Sequence, residues 1–125
     1  MDIITSGSVD SKYGGYFTGA VQLEMLRPGA ADGEPDTARV SFADGALTNW
    51  HVHPGGQQIL LLSGRGRAGT DGGDRSDVEP GTLVWFAPGE RHWHGAAAGT
   101  DCVWLANTWG VTAWENAAPS PSASG

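Results

Sequence analysis

Residues 45–64 read Gly-Ala-Leu-Thr-Asn-Trp-His-Val-His-Pro-Gly-Gly-Gln-Gln-Ile-Leu-Leu-Leu-Ser-Gly, and this segment carries the clearest indication of the fold. His51 and His53 stand two positions apart, and side chains at that spacing project from the same face of a β-strand. A Pro-Gly-Gly turn follows, and then a nearly continuous apolar run begins at Gln57. The segment predicts two strands joined by a tight turn, with Gln57 returned beside both imidazoles.

The rest of the chain has the same rhythm of short apolar segments separated by turns. Its 20 glycines and 7 prolines are dispersed along the 125 residues, which is typical of an all-β sandwich or barrel. The length suits one domain. The 6 tryptophans indicate a large apolar side-chain area available for burial and an aromatic-lined cavity. Ile59, Leu61 and Trp85 are expected in the core.

The charge of the chain argues against two classes of partner. The formal net charge is −7, from 14 acidic and 7 basic residues, and there is no basic stripe. Nucleic acid and anionic membrane surfaces are therefore poor candidates. Residues 1–10 have no positive region and no long apolar stretch, so we expect no signal peptide there, and no apolar run is long enough to predict a membrane span. The single cysteine, Cys102, cannot form an intramolecular disulfide, and we expect a cytoplasmic protein.

Three histidines and one glutamine form a candidate metal site. His92 follows its own Pro-Gly turn, 35 positions after Gln57, and we expect the fold to bring it to His51 and His53. Imidazole suits zinc, copper, iron, nickel and manganese, and a side-chain oxygen suits the harder ions. The alternative is that each His-X-His pair is merely a pair of surface histidines on a strand.

The residues that frame these histidines resemble the two motifs of the cupin family. Gly45, the His51–His53 pair, Gln57 and Gly64 resemble the first motif, and Gly81 followed by residues 87–92 resembles the second. The chain departs from the usual pattern at three places, with glutamine for glutamate, alanine for proline and alanine for asparagine, at Gln57, Ala87 and Ala96. The resemblance implies an all-β fold, a single cupin (jelly-roll type) β-barrel.

Within this family the sequence is similar to short bacterial monocupins that include manganese-dependent hydroxynitrile lyases. The matching stretches are residues 17–19, 50–54 and 84–96. The resemblance implies a homodimer and one divalent transition metal, with manganese favoured and iron, zinc, nickel and copper open. The ligands it implies are His51, His53, Gln57 and His92. We predict a polar N-terminal arm over 1–12, a cupin barrel over 13–115 and a disordered C-terminal tail over 116–125.

Other residues are candidates for the chemistry around the metal. His94 lies two positions after His92, and we predict that it is an acid/base or orienting group beside the metal. The alternatives are a fifth metal ligand and a histidine of the cavity wall that is hydrogen-bonded to the backbone. Val40, Phe42, Trp104 and Ala106 are predicted to line the substrate pocket, with core packing as the alternative. The lyases that the chain resembles have a histidine at the position of Trp104, and an indole cannot accept a proton.

Neutral ligands favour an enzyme, because a metal held by them keeps its full positive charge and is a strong Lewis acid. We expect a metal-dependent lyase, or an oxygenase or cyclase, that acts on a small apolar or aromatic molecule. A non-catalytic, metal-dependent binding or sensing protein is the alternative, and a purely structural metal is the third possibility.

Overall fold

The computed structural model describes residues 1–10 and 16–120 of the chain. The boundary predicted between the N-terminal arm and the barrel, and residues 121–125 of the predicted tail, lie outside the described residues. Within the arm, three residues form a strand that pairs with the edge of a sheet. Residues 116–120 form no strand, and the Ala117 carbonyl accepts a hydrogen bond from the Trp50 amide at 3.0 Å.

The described part of the chain consists of strands and turns, without a helix. The strands, in chain order, are β1 (Ser8–Asp10), β2 (Phe17–Thr18), β3 (Val21–Arg27), β4 (Asp36–Phe42), β5 (Leu47–Thr48), β6 (His51–Val52), β7 (Gln57–Gly64), β8 (Gly66–Thr70), β9 (Arg75–Val78), β10 (Leu83–Phe86), β11 (His92–Ala96), β12 (Cys102–Thr108) and β13 (Ala113–Trp114). Among the described residues, no helix could cross a membrane. The predicted all-β fold is confirmed.

The strands form two antiparallel sheets. The first has the order β1-β3-β4-β12-β7-β10. The second has the order β13-β6-β11-β5-β2, and β8 pairs with both β11 and β9. β12 lies between β4 and β7 and is distant from both in sequence, so the central pairings of the first sheet are non-local.

The core lies between the two sheets and follows the strand period of two. Burial alternates along β4, β7 and β12. The inward positions of these strands hold the largest fully buried apolar side chains, namely Phe42, Ile59, Leu61 and Trp104. Each such side chain contributes roughly 1.5–3 kcal/mol through burial. Gln57 shares the inward face with Ile59 and Leu61, so the same alternation turns its amide into the barrel.

One tryptophan predicted for the core is on the surface. Trp85 is 53% exposed, because it lies on the outward face of β10 beside Leu83, while Phe86 faces inward and is buried. The core space instead belongs to Trp104. A Cβ atom at Gly66 would lie 2.5 Å from the Trp104 ring, so the glycine of β8 leaves room for the indole.

Candidate metal centre

A turn and a strand pairing bring four side chains together at one end of the barrel. Gly56 adopts a positive φ of 88°, a conformation that favours glycine, and its amide donates to the His53 carbonyl at 3.1 Å. This turn places Gln57 at the start of β7. On the other side, His92 of β11 pairs directly with His51 of β6. The structure therefore brings His51, His53, Gln57 and His92 to one place, as the sequence predicts.

Three of these side chains form a cluster able to hold a metal ion. One ring nitrogen from each of His51, His53 and His92 lies within 4.8 Å of the others. The three residues are 1%, 2% and 0% exposed. Gln57 adds an oxygen to this cluster, since its Oε1 lies 3.1 Å from the Nε2 of His92. Three nitrogens and one amide oxygen form a ligand set that first-row divalent metals accept.

Hydrogen bonds at Nδ1 orient the three imidazoles. The Nδ1 of His51 donates to the Asn49 carbonyl at 2.8 Å, and a carbonyl oxygen only accepts, so the His51 hydrogen is on Nδ1 and its lone pair is on Nε2. His92 faces a carbonyl oxygen with each ring nitrogen, the Glu90 carbonyl at 2.8 Å from Nδ1 and the Gln57 Oε1 at 3.1 Å from Nε2. His53 Nδ1 lies 2.9 Å from the Thr112 hydroxyl, and its buried Nε2 has no partner among the described residues.

These histidines are neutral because they are buried. Burial lowers the pKa of His53 to about 4 and that of His92 to about 3. Burial, and then the neighbouring His92, hold the pKa of His51 well below its usual range. The neutral imidazole is the form of histidine that binds metals. A cation in the cluster would also give the buried His53 Nε2 a polar partner, which it otherwise lacks among the described residues. The residues present therefore fit a divalent metal.

His94 lies beside the cluster without being part of it. It follows His92 by two positions on β11, and its ring centroid lies 5.7 Å from that of His51 and 6.2 Å from that of His92. Its side chain is buried, and Nδ1 has no hydrogen-bond partner among the described residues. Burial holds the pKa of His94 well below its usual range. His94 is thus a neutral imidazole in the wall of a cavity.

The cavity opens above the histidine cluster and encloses about 540 Å³, including the solvent at its mouth. Its walls are mainly apolar, with hydroxyl groups near the cluster and one carboxylate, and they consist of Phe17, Leu23, Met25, Asp36, Ala38, Val40, Thr48, His51, His53, Gln57, His94, Ala106, Thr108, Thr112 and Trp114. These residues include neither lysine nor arginine.

Two of the four predicted pocket residues line the cavity and two do not. Val40 and Ala106 are part of its wall. Phe42 and Trp104 lie behind His94, with ring centroids 5.6 and 6.0 Å from its ring. Trp104 is fully buried and donates from Nε1 to the Gly95 carbonyl at 3.0 Å. Both rings are buried in the hydrophobic core, so for them the core-packing alternative describes the structure.

Sequence reasoning missed several residues of the site. Trp114 lies over His51 with ring centroids 4.3 Å apart and stacks on Tyr16 at 4.8 Å. Thr108 follows Ala106 by two positions on β12, so the alternation of side chains along a strand could have predicted that it faces the cavity. Thr112 lies in an irregular segment after β12, where the sequence has no period that would predict its direction.

The fold and the site together define an antiparallel β-barrel with a three-histidine centre at one end, and comparison with known proteins identifies the family. Residues 38–107 match the cupin domain model. The chain is 42% identical over 108 residues to an (R)-mandelonitrile lyase of Granulicella tundricola, a match that covers 85% of this chain and 82% of that protein. The chain belongs to the cupin family.

Solved structures agree with this assignment. A cupin-like protein of Thermotoga maritima is 31% identical, with a TM-score of 0.79 over 94% of this chain and 90% of that one. A structure described as a putative acetylacetone dioxygenase of Methylibium petroleiphilum is 18% identical, with a TM-score of 0.67 over 88% of this chain and 76% of that one. The second likeness concerns the fold alone. The predicted membership of the family of short monocupins is confirmed.

Proposed function

We propose that the protein is a metal-dependent lyase that cleaves small, neutral, aromatic cyanohydrins into an aldehyde and hydrogen cyanide. The observation that carries this proposal is the neutral three-histidine cluster at the floor of an apolar cavity, in a chain 42% identical to a mandelonitrile lyase. A substrate such as mandelonitrile joins an aromatic ring to a carbon that carries a hydroxyl and a nitrile. The cavity offers apolar walls to the ring and polar groups to the other end.

The proposed ligands are His51, His53, Gln57 and His92. Their donor atoms are neutral and lie at one point of the barrel. When bound, a divalent metal supplies a Lewis acid that polarises a coordinated substrate oxygen or nitrogen. Manganese is the proposed metal on the family resemblance, and the donor set also accepts iron, zinc, nickel and copper.

The lining of the cavity supports an aromatic substrate. An aryl ring gains from contact with the apolar side chains of Phe17, Leu23 and Trp114. The lining includes one carboxylate, that of Asp36, and no lysine or arginine, so a bound metal would be the source of positive charge for a substrate there. The walls therefore favour an aryl group.

The reaction requires removal of one proton. The hydroxyl proton is removed, the bond from carbon to the nitrile breaks with its electron pair leaving on cyanide, the hydroxyl carbon becomes a carbonyl, and cyanide takes up the proton that the hydroxyl lost. We propose His94 as the group that accepts the hydroxyl proton, because it is a buried imidazole in the cavity wall with an unpartnered Nδ1. Trp104 is packed behind His94 and offers no base of its own.

The proposal predicts release of benzaldehyde and cyanide from racemic mandelonitrile by the untagged protein loaded with Mn²⁺. The reaction is run at mildly acidic pH, which suppresses spontaneous decomposition, and product is followed by the absorbance of benzaldehyde. Chelator-stripped protein is the matched control and is expected to show only the background rate. A background rate with each of Mn²⁺, Fe²⁺, Zn²⁺, Ni²⁺ and Cu²⁺ would contradict the lyase.

The same samples address the other functions open to this centre. Oxygen uptake on addition of an aromatic substrate, without cyanide release, would favour an oxygenase. Saturable binding of mandelonitrile without turnover would favour a non-catalytic binding protein, a function consistent with the burial of Trp104 at the position where related lyases have a histidine.

We also propose a homodimer on the family resemblance. Leu62, Leu83 and Trp85 are exposed on the outward faces of the adjacent strands β7 and β10, where they form an apolar surface that a second copy would cover.

A further inference from the structure

Two threonine hydroxyls that flank one irregular segment contact two of the proposed metal ligands. Thr108, the last residue of β12, accepts a hydrogen bond from the Gln57 Nε2 at 2.8 Å. Thr112, four positions later, lies 2.9 Å from the Nδ1 of His53 through its Oγ1. Both threonines also line the cavity. We call residues 108–112 the ligand-facing segment.

The ligand-facing segment is fixed against the turn that connects His53 to Gln57. The Gly55 amide donates to the Trp109 carbonyl at 3.0 Å, and the Trp109 amide donates to the Gly56 carbonyl at 3.1 Å. A Cβ atom at Gly55 would lie 2.5 Å from the Trp109 Cβ, so the two backbones approach as closely as a glycine permits. The turn and the segment are therefore joined by two backbone hydrogen bonds, with a threonine beside each ligand.

Each contact engages the ligand side chain at an atom other than the one that faces the cluster. Because the Gln57 amide nitrogen donates to Thr108, its carbonyl oxygen is directed to the cluster, 3.1 Å from the His92 Nε2. The Nδ1 of His53 lies against the Thr112 hydroxyl, and its Nε2, on the other side of the ring, has no hydrogen-bond partner among the described residues. The Nδ1 atoms of His51 and His92 lie against backbone carbonyls instead, those of Asn49 and Glu90. A side-chain substitution does not remove a backbone carbonyl. His53 and Gln57 depend on side chains.

We propose that Thr108 and Thr112 are positioning residues that set the affinity of the centre for its metal through Gln57 and His53. The inference rests on the proposed metal centre and extends it to a segment that contributes no ligand. Groups that orient metal ligands in this way typically change affinity by about 10–100-fold when removed.

The test compares Thr→Val and Thr→Ser variants at both positions. Valine has nearly the shape of threonine without the hydroxyl, and serine retains the hydroxyl. Thr37→Val is the matched control, because Thr37 also accepts a hydrogen bond at 2.8 Å, from the Asn107 Nδ2, and is absent from the cavity wall. The affinity of the metal-free protein for Zn²⁺ is measured by competition with a chromophoric chelator, and circular dichroism establishes that each variant is folded.

We expect Thr108→Val and Thr112→Val each to weaken Zn²⁺ binding by about 10–100-fold, with Thr108→Ser, Thr112→Ser and Thr37→Val close to the unmodified protein. Valine variants that bind Zn²⁺ as tightly as Thr37→Val would overturn the inference. Equal losses in the serine and valine variants would overturn it too, because the methyl group would then be responsible. An unmodified protein that binds no Zn²⁺ would overturn the metal centre itself, which separates the two failures.

Discussion

Replacement of His92 by alanine is expected to weaken Zn²⁺ binding by more than ~100-fold and to abolish cyanide release, since loss of a direct ligand should exceed the effect of losing an orienting group. His92 is fully buried and is oriented through Nδ1 by the Glu90 carbonyl, with Nε2 directed to Gln57 and the cluster. Its ring also stacks on Phe86 at 3.7 Å, so some loss of stability accompanies the substitution. Chelator competition measures the binding.

His94→Ala is the matched control for this prediction. The two histidines lie on the same face of β11, and both are buried. His94 is outside the three-histidine cluster, so its loss is expected to leave Zn²⁺ affinity nearly unchanged while cyanide release falls to the background rate. Equal metal loss in the two variants would contradict the assignment of separate roles. A His94→Ala variant with full turnover would contradict its role as proton acceptor.

Replacement of Trp104 by alanine is expected to lower the free energy of unfolding by about 3–5 kcal/mol, the usual cost of truncating a buried tryptophan. The ring is fully buried on β12, fits against Gly66 and donates to the Gly95 carbonyl. Its removal leaves a cavity behind His94. Urea denaturation of the metal-free protein measures the change, with the metal absent so that binding does not contribute.

Trp85→Ala is the control for this stability prediction. Trp85 is 53% exposed, and its ring contacts that of Trp109 at a centroid distance of 6.2 Å. Its removal is expected to cost less than ~1 kcal/mol, as for most surface substitutions. Comparable losses for Trp85→Ala and Trp104→Ala would mean that Trp104 is not the central core residue.

The part of the fold and site that the sequence predicted depends on short-range geometry. Alternation along β7 and β12 fixed which residues face the core, because successive side chains of a strand point to opposite faces. The spacing of His51, His53 and Gln57 around a Pro-Gly-Gly turn is local in the same sense. His92 was placed by the second motif, and the structure sets it opposite His51 across the β6–β11 pairing.

The features that the sequence did not predict depend on how distant elements meet. Phe42 and Trp104 face inward as expected, yet only packing between the sheets decides whether an inward ring lines the cavity or packs in the hydrophobic core. Trp85 was predicted for the core but is exposed. It is adjacent to the buried Phe86 on β10, and neighbouring side chains of a strand point to opposite faces. Thr112 and Trp114 reach the site from the chain after β12, where no period in the sequence indicates a direction.

We propose that His51, His53, Gln57 and His92 hold one metal ion. The direct test is the metal content of protein purified without a histidine tag. The unmodified protein and a His51→Ala, His53→Ala double variant are analysed together by elemental mass spectrometry. We expect about one divalent transition metal per chain in the unmodified protein and little in the variant, because a site made from histidines is lost with them. An unmodified protein that stays free of metal after incubation with manganese, iron, zinc, nickel and copper would contradict it.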